Sequence, residues 1–424
     1  MHDVCSAIHP MALASPFFKT LSLEKFGLEW INPIYAAAHP FDDGSAAFLH
    51  HSIEETANNL GIDAKAYQKL MTPLHKNSSK IFPFILGPLH FPKHPVVMAN
   101  FGIKALQPAT LLANGLFKRE KAKGLLAGMA AHAAVPLSKP ATSAIALALM
   151  MAAHNNNWPI PKGGSQNIAN ALAALFISLG GTIETSVNIT SLQQLPSSHT
   201  VLFDITPKQL LQIAGHKFSS LYQWQLKRFR YGTGIYKIDW ALSEPIPFTV
   251  HDCRSAGTVH IGNTMRDIAK GERETWQGKH TEKPFVLLAQ QSLFDTSRAP
   301  SGRQTAWAYC HVPNGSTKNM TAIIEQQIER FAPGLRDCIL AKHEMNNEAI
   351  QDYNANYIGG DINGGAQLLT QLFTRPALRL SPYKTSAKGI YICSSSTPPG
   401  GGVHGMSGYH AAKKALKDVF KIQI

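Results

Sequence analysis

The C-terminal end places the tightest constraint on this chain. Gly389-Ile390-Tyr391-Ile392-Cys393-Ser394 reads as a strand, and Thr397, Pro398 and Pro399 then turn the backbone. Gly400-Gly401-Gly402-Val403-His404-Gly405 follows, and residues 409–420 complete the unit as a helix. Gly400, Gly402 and Gly405 satisfy GxGxxG between a strand and a helix. Glycines let a backbone approach a ligand closely, and free N–H groups at a helix start favour an anion or a carbonyl oxygen. Fewer than about 20 residues follow Gly405, which excludes the first turn of a dinucleotide fold, because a second strand and its ribose-binding acid must come after it. The plain alternative is a glycine-rich turn ahead of a terminal helix. Gly405-Met406-Ser407-Gly408-Tyr409 approaches a nucleophile elbow, but its last glycine is missing, so a serine hydrolase is set aside.

The body of the chain alternates helix and strand signals. Residues 50–70 and 108–134 read as helical, and residues 81–88 between them as an apolar connector with turn residues. Gly163-Gly164-Ser165 offers a turn and an N-cap, with Ile168, Leu172, Leu175, Phe176 and Leu179 at helical spacing and Gly180-Gly181 as a stop. Ile183, Thr185, Val187 and Ile189 alternate with polar residues, which predicts a strand over 182–189. Val201-Leu202-Phe203-Asp204 predicts another, ended by Thr206-Pro207 before a helix, so an α/β layer is expected here. Residues 234–240, 258–261, 285–288 and 307–312 are β-rich and a helix over 320–331 follows, which predicts a second, sheet-based domain.

A chain of 424 residues fits two domains, and 44% hydrophobic with 16% charged residues describes a globular protein. The formal charge of +13 favours anionic partners. The densest basic run, residues 118–123, is interrupted by Glu120 and reads as a solvated helix face, and no nucleic-acid motif accompanies it. Five cysteines lie far apart without a CxxC pair, and nineteen histidines show no metal-ligand spacing. A reducing, cytoplasmic setting without a metal is expected. The start lacks the basic region of a secretory signal. The longest apolar run, residues 141–153, is too short to span a bilayer and reads as a buried helix, with peripheral membrane contact as the alternative.

The string SSSTPPGGGVHGMSGYHAAKKAL resembles the C-terminal flavin motif of the phytoene-desaturase-like oxidoreductases. HDVCSAIHP, PKGGSQNIANALAALFISLGG, FRYGTGIYKIDWALSEPIPF and FDTSRAPSGRQTAWAYCHVP resemble the subgroup named for a pyridine-nucleotide-disulfide oxidoreductase domain, and the likeness runs from His2 to the terminal helix. It implies the amine-oxidase and carotenoid-desaturase architecture, in which an α/β, Rossmann-like FAD domain (residues 1–45, 155–210 and 350–424) interleaves with an α+β substrate domain (46–154 and 211–349). Members of the family open with a strand, a GxGxxG turn, a helix and a second strand ending in an acid. His2 already matches the region after that unit. The resemblance therefore implies an N-terminally truncated fold lacking a βαβ unit of about 30 residues or more, with apolar surface uncovered where the unit would pack.

By the same resemblance Val187 meets the adenine of FAD, Ser395 and Thr397 lie near the ribityl-diphosphate, and Gly401, Gly402 and the Val403 N–H face the isoalloxazine. A backbone N–H there would stabilise charge on the reduced flavin. In more distant flavin amine oxidases a lysine meets the flavin through water; Lys237 stands in a suitable strand, but an exposed lysine at a sheet edge is the preferred reading. Arg298 reads as a brace of its turn. His9 and His404 fall near the flavin by motif position, without an assigned catalytic role. Two functions follow: an FAD-dependent dehydrogenase or desaturase acting on a small apolar organic substrate, or a non-catalytic, flavin-poor family member that binds partners.

Overall fold

Alternating side chains between Gly234 and Val312 build the largest feature of the computed structural model, which describes residues 1–423. The strands are β1 (Trp30–Ile31), β2 (Tyr35–Pro40), β3 (Ala46–His50), β4 (Ile160–Pro161), β5 (Val201–Phe203), β6 (Gly234–Leu242), β7 (Ala256–Ile261), β8 (Val286–Ala289), β9 (Gln304–Val312), β10 (Ile339–Met345) and β11 (Ile390–Ile392). Seven form one mixed sheet in the order β10-β6-β9-β8-β7-β2-β3, in which only β2 and β7 run parallel. Tyr236, Ile238, Trp240, Ala306, Ala308 and Cys310 point into a core shared with the helix Thr321–Glu329. Ile235, Trp307 and Tyr309 point the other way, into a larger core with the helices Glu120–Ala131 and Thr142–Asn156. The period of two thus sends alternate residues of the same strands to two cores.

Several expectations change here. Residues 35–40 fall within the expected cofactor-binding part, but β2 pairs with β3 and β7 inside the seven-stranded sheet, because its run of alanines fits a strand buried on both faces. The segment 81–88 is not a connector. Its first part belongs to the helix Ser78–Ile85, which buries Ile81 and Phe82 and carries Pro83 near its end. The expected strand over 182–189 does not form, since the segment has no pairing partner and its alternation never becomes a ladder. Residues 142–153 of the apolar run form most of the helix Thr142–Asn156, as expected, with Ala146, Leu147, Met150 and Met151 buried.

A second, small sheet holds β5 and β11 in parallel, with Phe203, Leu210, Tyr222 and Ile392 in its core. The helix Gln166–Ser178 packs Ile168 and Ala171 against Leu23 and Leu28, while Phe176, Ile177 and Leu179 stay exposed.

The helix Glu120–Ala131 approaches the seven-stranded sheet closely because two of its residues are glycines. A Cβ on Gly124 would stand 2.9 Å from the Phe41 ring, and one on Gly128 would stand 2.6 Å from Nδ1 of His260. Under this seam lie buried histidines. Nε2 of His132 and Nε2 of His260 share a 3.0 Å hydrogen bond, and Nε2 of His39 donates to the Asn263 carbonyl at 2.6 Å. Burial holds His39 at about 4, opposed by the Asn263 carbonyl, and His132 at about 3, aided by His311. Burial, with His132 and His39 nearby, pushes His260 well below its ordinary value. Because these folded-state values lie below the ordinary value, protonation favours the unfolded chain, and stability falls as pH drops from about 6.5 toward the folded values. His39 alone would cost about 3 kcal/mol at the bottom of that window, since each pH unit between the unfolded and folded values is worth about 1.4 kcal/mol. Thermal unfolding should therefore show Tm falling steadily from about pH 7 to about pH 5, above the range in which most carboxylates titrate; a flat Tm would contradict this account of the seam.

Candidate functional site

A cleft of about 470 Å³ opens where β5 and β11 end. Asp204 follows β5 directly and Cys393 follows β11, so both lie at the carboxyl edge of a parallel pair, the usual place for a ligand in an open α/β sheet. Its size falls within the range of small-molecule sites. Burial raises the Asp204 carboxyl, and burial together with Asp204 pushes the Cys393 thiol up to about 12. The thiol therefore stays protonated, and Asp204 supplies the acceptor oxygens of this wall.

The terminal glycine loop forms the opposite wall. Gly400, Gly402 and Gly405 all adopt positive φ, at 107°, 122° and 66°. Two of them are also closely packed: a Cβ on Gly400 would stand 2.7 Å from Nη1 of Arg375, and one on Gly405 would stand 2.5 Å from the Phe18 ring. These glycines are required by conformation and by contact alike.

Two buried charges hold the loop from beneath. Nη1 of Arg375 donates to the Ser395 carbonyl at 3.0 Å, and Nη2 reaches the carbonyls of Ala366 at 3.3 Å and Gly365 at 3.4 Å. Asp361 accepts from the backbone N–H groups of Gly232 at 2.7 Å, Asn363 at 2.8 Å and Gly365 at 3.0 Å. Burial raises Asp361 against the pull of these N–H groups and of Arg375, and burial lowers Arg375 to about 10, opposed by Asp361.

The sequence-derived residues do not all meet at this cleft. Ser395 and Gly402 line it, with His404 beside them. Gly401 and Val403 lie on the exposed part of the loop. Thr397 is buried behind it and donates its hydroxyl to the Ser394 carbonyl at 2.7 Å. Val187 stands on the unpaired segment after the helix Gln166–Ser178, 56% exposed, and is not among the lining residues. Nδ1 of His404 accepts from the Met406 N–H at 3.0 Å, which leaves the proton on Nε2, a buried atom without a hydrogen-bond partner. Burial holds His404 at about 4, opposed by the Gly400 backbone, so the ring is neutral. His9 is engaged with the Ser165 hydroxyl at 2.8 Å.

Lys237 corrects the expectation of an exposed edge lysine. β6 has β10 on one side and β9 on the other, and only 1% of Lys237 is exposed. Its ammonium is paired with Asp239, two residues along the same face, and lies 5.9 Å from the centre of the Trp307 ring. Burial lowers Lys237, opposed chiefly by Asp239. Arg298 is a brace, as expected, but over a longer reach: its Nη2 donates to Asp3 at 2.7 Å.

Sequence reasoning missed Asp204, Asp361 and Arg375 as site residues. The position of Asp204, at the end of a predicted strand and before a helix, was the signal for the first. Nothing local marks the other two.

The likeness drawn from the sequence holds in comparisons with known proteins. No protein-family model matches the chain. Pyridine nucleotide-disulfide oxidoreductase domain-containing protein 2 of the mouse is 31% identical over 154 residues, covering 34% of this chain and 26% of that protein. Its rat counterpart is 23% identical over 314 residues, covering 62% and 52%. The chain is a relative of these oxidoreductases. It spans about half the length of the rat protein and less of the mouse one. Among solved structures, an oxidoreductase from Methanosarcina mazei superposes with a TM-score of 0.62 at 13% identity, over 97% of this chain and 87% of that one. A redesigned putrescine oxidase superposes with a TM-score of 0.57 at 12% identity, over 98% and 87%. The fold is the amine-oxidase type.

Arg375 is the buried cation nearest the glycine loop, and it bonds the Ser395 carbonyl directly before it. Arg375→Met should remove three hydrogen bonds to backbone carbonyls and leave Asp361 without its nearby cation. The expected loss of unfolding free energy is roughly 3 kcal/mol, as for other broken buried charge partnerships. Urea denaturation followed by circular dichroism measures it, and an unchanged midpoint would show that the loop stands without Arg375.

Proposed function

We propose that this chain is an FAD-dependent oxidoreductase that takes hydride from an apolar organic substrate, with the flavin end of the cofactor in the cleft between Asp204 and the terminal glycine loop. The observation that carries the reading is the loop itself. Three glycines in the left-handed region expose backbone to a cleft at the carboxyl ends of two parallel strands. The Nε2–H of His404 is a buried donor beside that cleft, with the Gly400 backbone near it but outside hydrogen-bond geometry, and such a group is costly unless a ligand or water meets it.

FAD, when bound, supplies the redox chemistry. The chain's own residues bind and orient. The N–H groups at Gly402 and Val403 would face the flavin ring and favour negative charge on it. Ser395 and Asp204 offer a hydroxyl and a carboxylate to the ribityl and diphosphate region, where a carboxylate suits hydroxyl groups rather than phosphate. Val187, on its exposed segment, would meet the adenine. Thr397 acts from behind by fixing the turn at Ser394. Residues 155–210 and 350–424 carry the cofactor side, and the seven-stranded sheet with its helices carries the substrate side.

Titration of the purified chain with FAD, followed by quenching of flavin fluorescence, tests the reading. Saturable quenching is expected. Gly402→Val should weaken it by about tenfold or more, the effect of forcing a branched residue into a left-handed conformation, while circular dichroism stays unchanged. Failure of the wild-type chain to bind FAD would favour the non-catalytic, partner-binding function.

A further inference from the structure

The helices Ser78–Ile85, Pro95–Ala105 and Ala109–Leu116 carry a surface that the proposed flavin site does not use. Pro95–Ala105 buries Met98, Phe101 and Ala105, as a helix docked on a core should. Its outer face is apolar as well. Val96 and Ile103 are exposed there, Leu106 continues the stripe, and Leu111 extends it onto the next helix. The loop before the helix adds Leu89 and Phe91, the latter 85% exposed. An isolated exposed leucine needs no explanation, but six large apolar side chains along one run of chain do.

The charge of the same region is one-sided. Between Ala64 and Arg119 there are eight lysine and arginine residues and no aspartate or glutamate. Lys80 and Lys93 are exposed beside the apolar residues, and Lys104 is partly exposed. Arg266, Lys270 and Arg273 line a neighbouring cleft with Thr110 and Asn114 of the helix Ala109–Leu116, adding positive charge at its margin; Glu120 is the acid there. A water-facing helix normally carries mixed charges and few large apolar groups. The segment 80–111 combines these apolar side chains with Lys80, Lys93 and Lys104 and holds no acid, the combination that suits the boundary between headgroups and acyl chains.

The geometry limits the depth of contact. Among the described residues no single helix is long and apolar enough to cross a membrane. The helices Pro95–Ala105 and Ala109–Leu116 are bent by 96° relative to each other and together bury an inner face in the protein. With the inner face held in the protein, the outer face of such a bent unit is the part free to lie on a bilayer.

We propose that residues 89–111 form a docking surface for an anionic phospholipid bilayer, with Phe91, Val96, Ile103 and Leu111 entering the acyl boundary and Lys80, Lys93 and Lys104 meeting the headgroups. A neutral bilayer would use only the apolar half of the surface, and a protein partner would need complementary carboxylates.

Co-sedimentation of the full chain with vesicles tests this without flavin or turnover. Vesicles of phosphatidylcholine mixed with phosphatidylglycerol should pull the chain down, vesicles of phosphatidylcholine alone far less, and added salt should release it. Phe91→Asp/Val96→Asp/Ile103→Asp, all exposed positions, should keep the wild-type circular dichroism and Tm. Vesicle binding of this variant should fall by about tenfold or more. Lys93→Glu/Lys104→Glu should fall comparably, on the anionic vesicles only. No binding by the wild type, or equal binding by the triple variant, would overturn the proposal. A wild-type dimer in size-exclusion chromatography that the triple variant converts to a monomer would also overturn it, by assigning the surface to a second copy of the chain.

Discussion

The antiparallel pairing of β6 with β9 is the constraint on which the rest of the structure depends. Nine residues of each strand are in register from Gly234↔Val312 to Leu242↔Gln304. That register commits Ile238, Trp240, Ala308 and Cys310 to one core and Ile235, Trp307 and Tyr309 to the other. A slip of one residue would exchange the faces and drive Lys237 and Asp239 into the apolar core behind the sheet. Both cores and the buried ion pair therefore rest on one ladder.

Lys237 and Asp239 show what the ladder allows. A lysine and an aspartate two residues apart on a strand point to the same side, so each supplies the countercharge that makes the other's burial tolerable. Removing either would leave an uncompensated charge in the interior. The same logic recurs under the glycine loop, where Arg375 and Asp361 bind no side-chain partner in common but saturate backbone groups on both sides of it. At the loop this charge fixes backbone next to the cleft, since Ser395, whose carbonyl accepts from Arg375, lines it.

The outer surfaces are less uniform than the interior. Phe176, Ile177 and Leu179 on one helix, and Phe91, Val96 and Ile103 on and beside another, leave apolar groups in water. Both groups lie in stretches without aspartate or glutamate, but residues 121–183 around the first carry four lysines, whereas residues 64–119 around the second carry eight lysines and arginines, with Lys80 and Lys93 exposed, and this denser charge suits the second to anionic lipid.

Much of the fold was legible in local pattern. Residues 234–240, 258–261, 285–288 and 307–312 are rich in β-branched and aromatic residues, which favour a strand buried on both faces, and each lies in or overlaps one. The glycines at 400, 402 and 405 announced a special backbone, since few other residues tolerate such φ values. The same reasoning failed at 182–189, where alternation alone cannot form a strand without a neighbour to accept its hydrogen bonds, and at β2, whose alanines carry little pattern. It could not see that Lys237 is buried, because exposure depends on β10 and β9 arriving from distant parts of the chain to flank β6. Nor could it find Asp361 and Arg375, whose roles lie in carbonyls and N–H groups that become neighbours only in the folded chain. The sequence by itself determined the central strands 234–240, 258–261 and 307–312 and the tight glycine turn at 400–405, because those follow from short-range sterics and residue type. Tertiary structure alone decided which charges would be buried and where the cleft would open, because burial and pairing are properties of segments brought together across hundreds of residues.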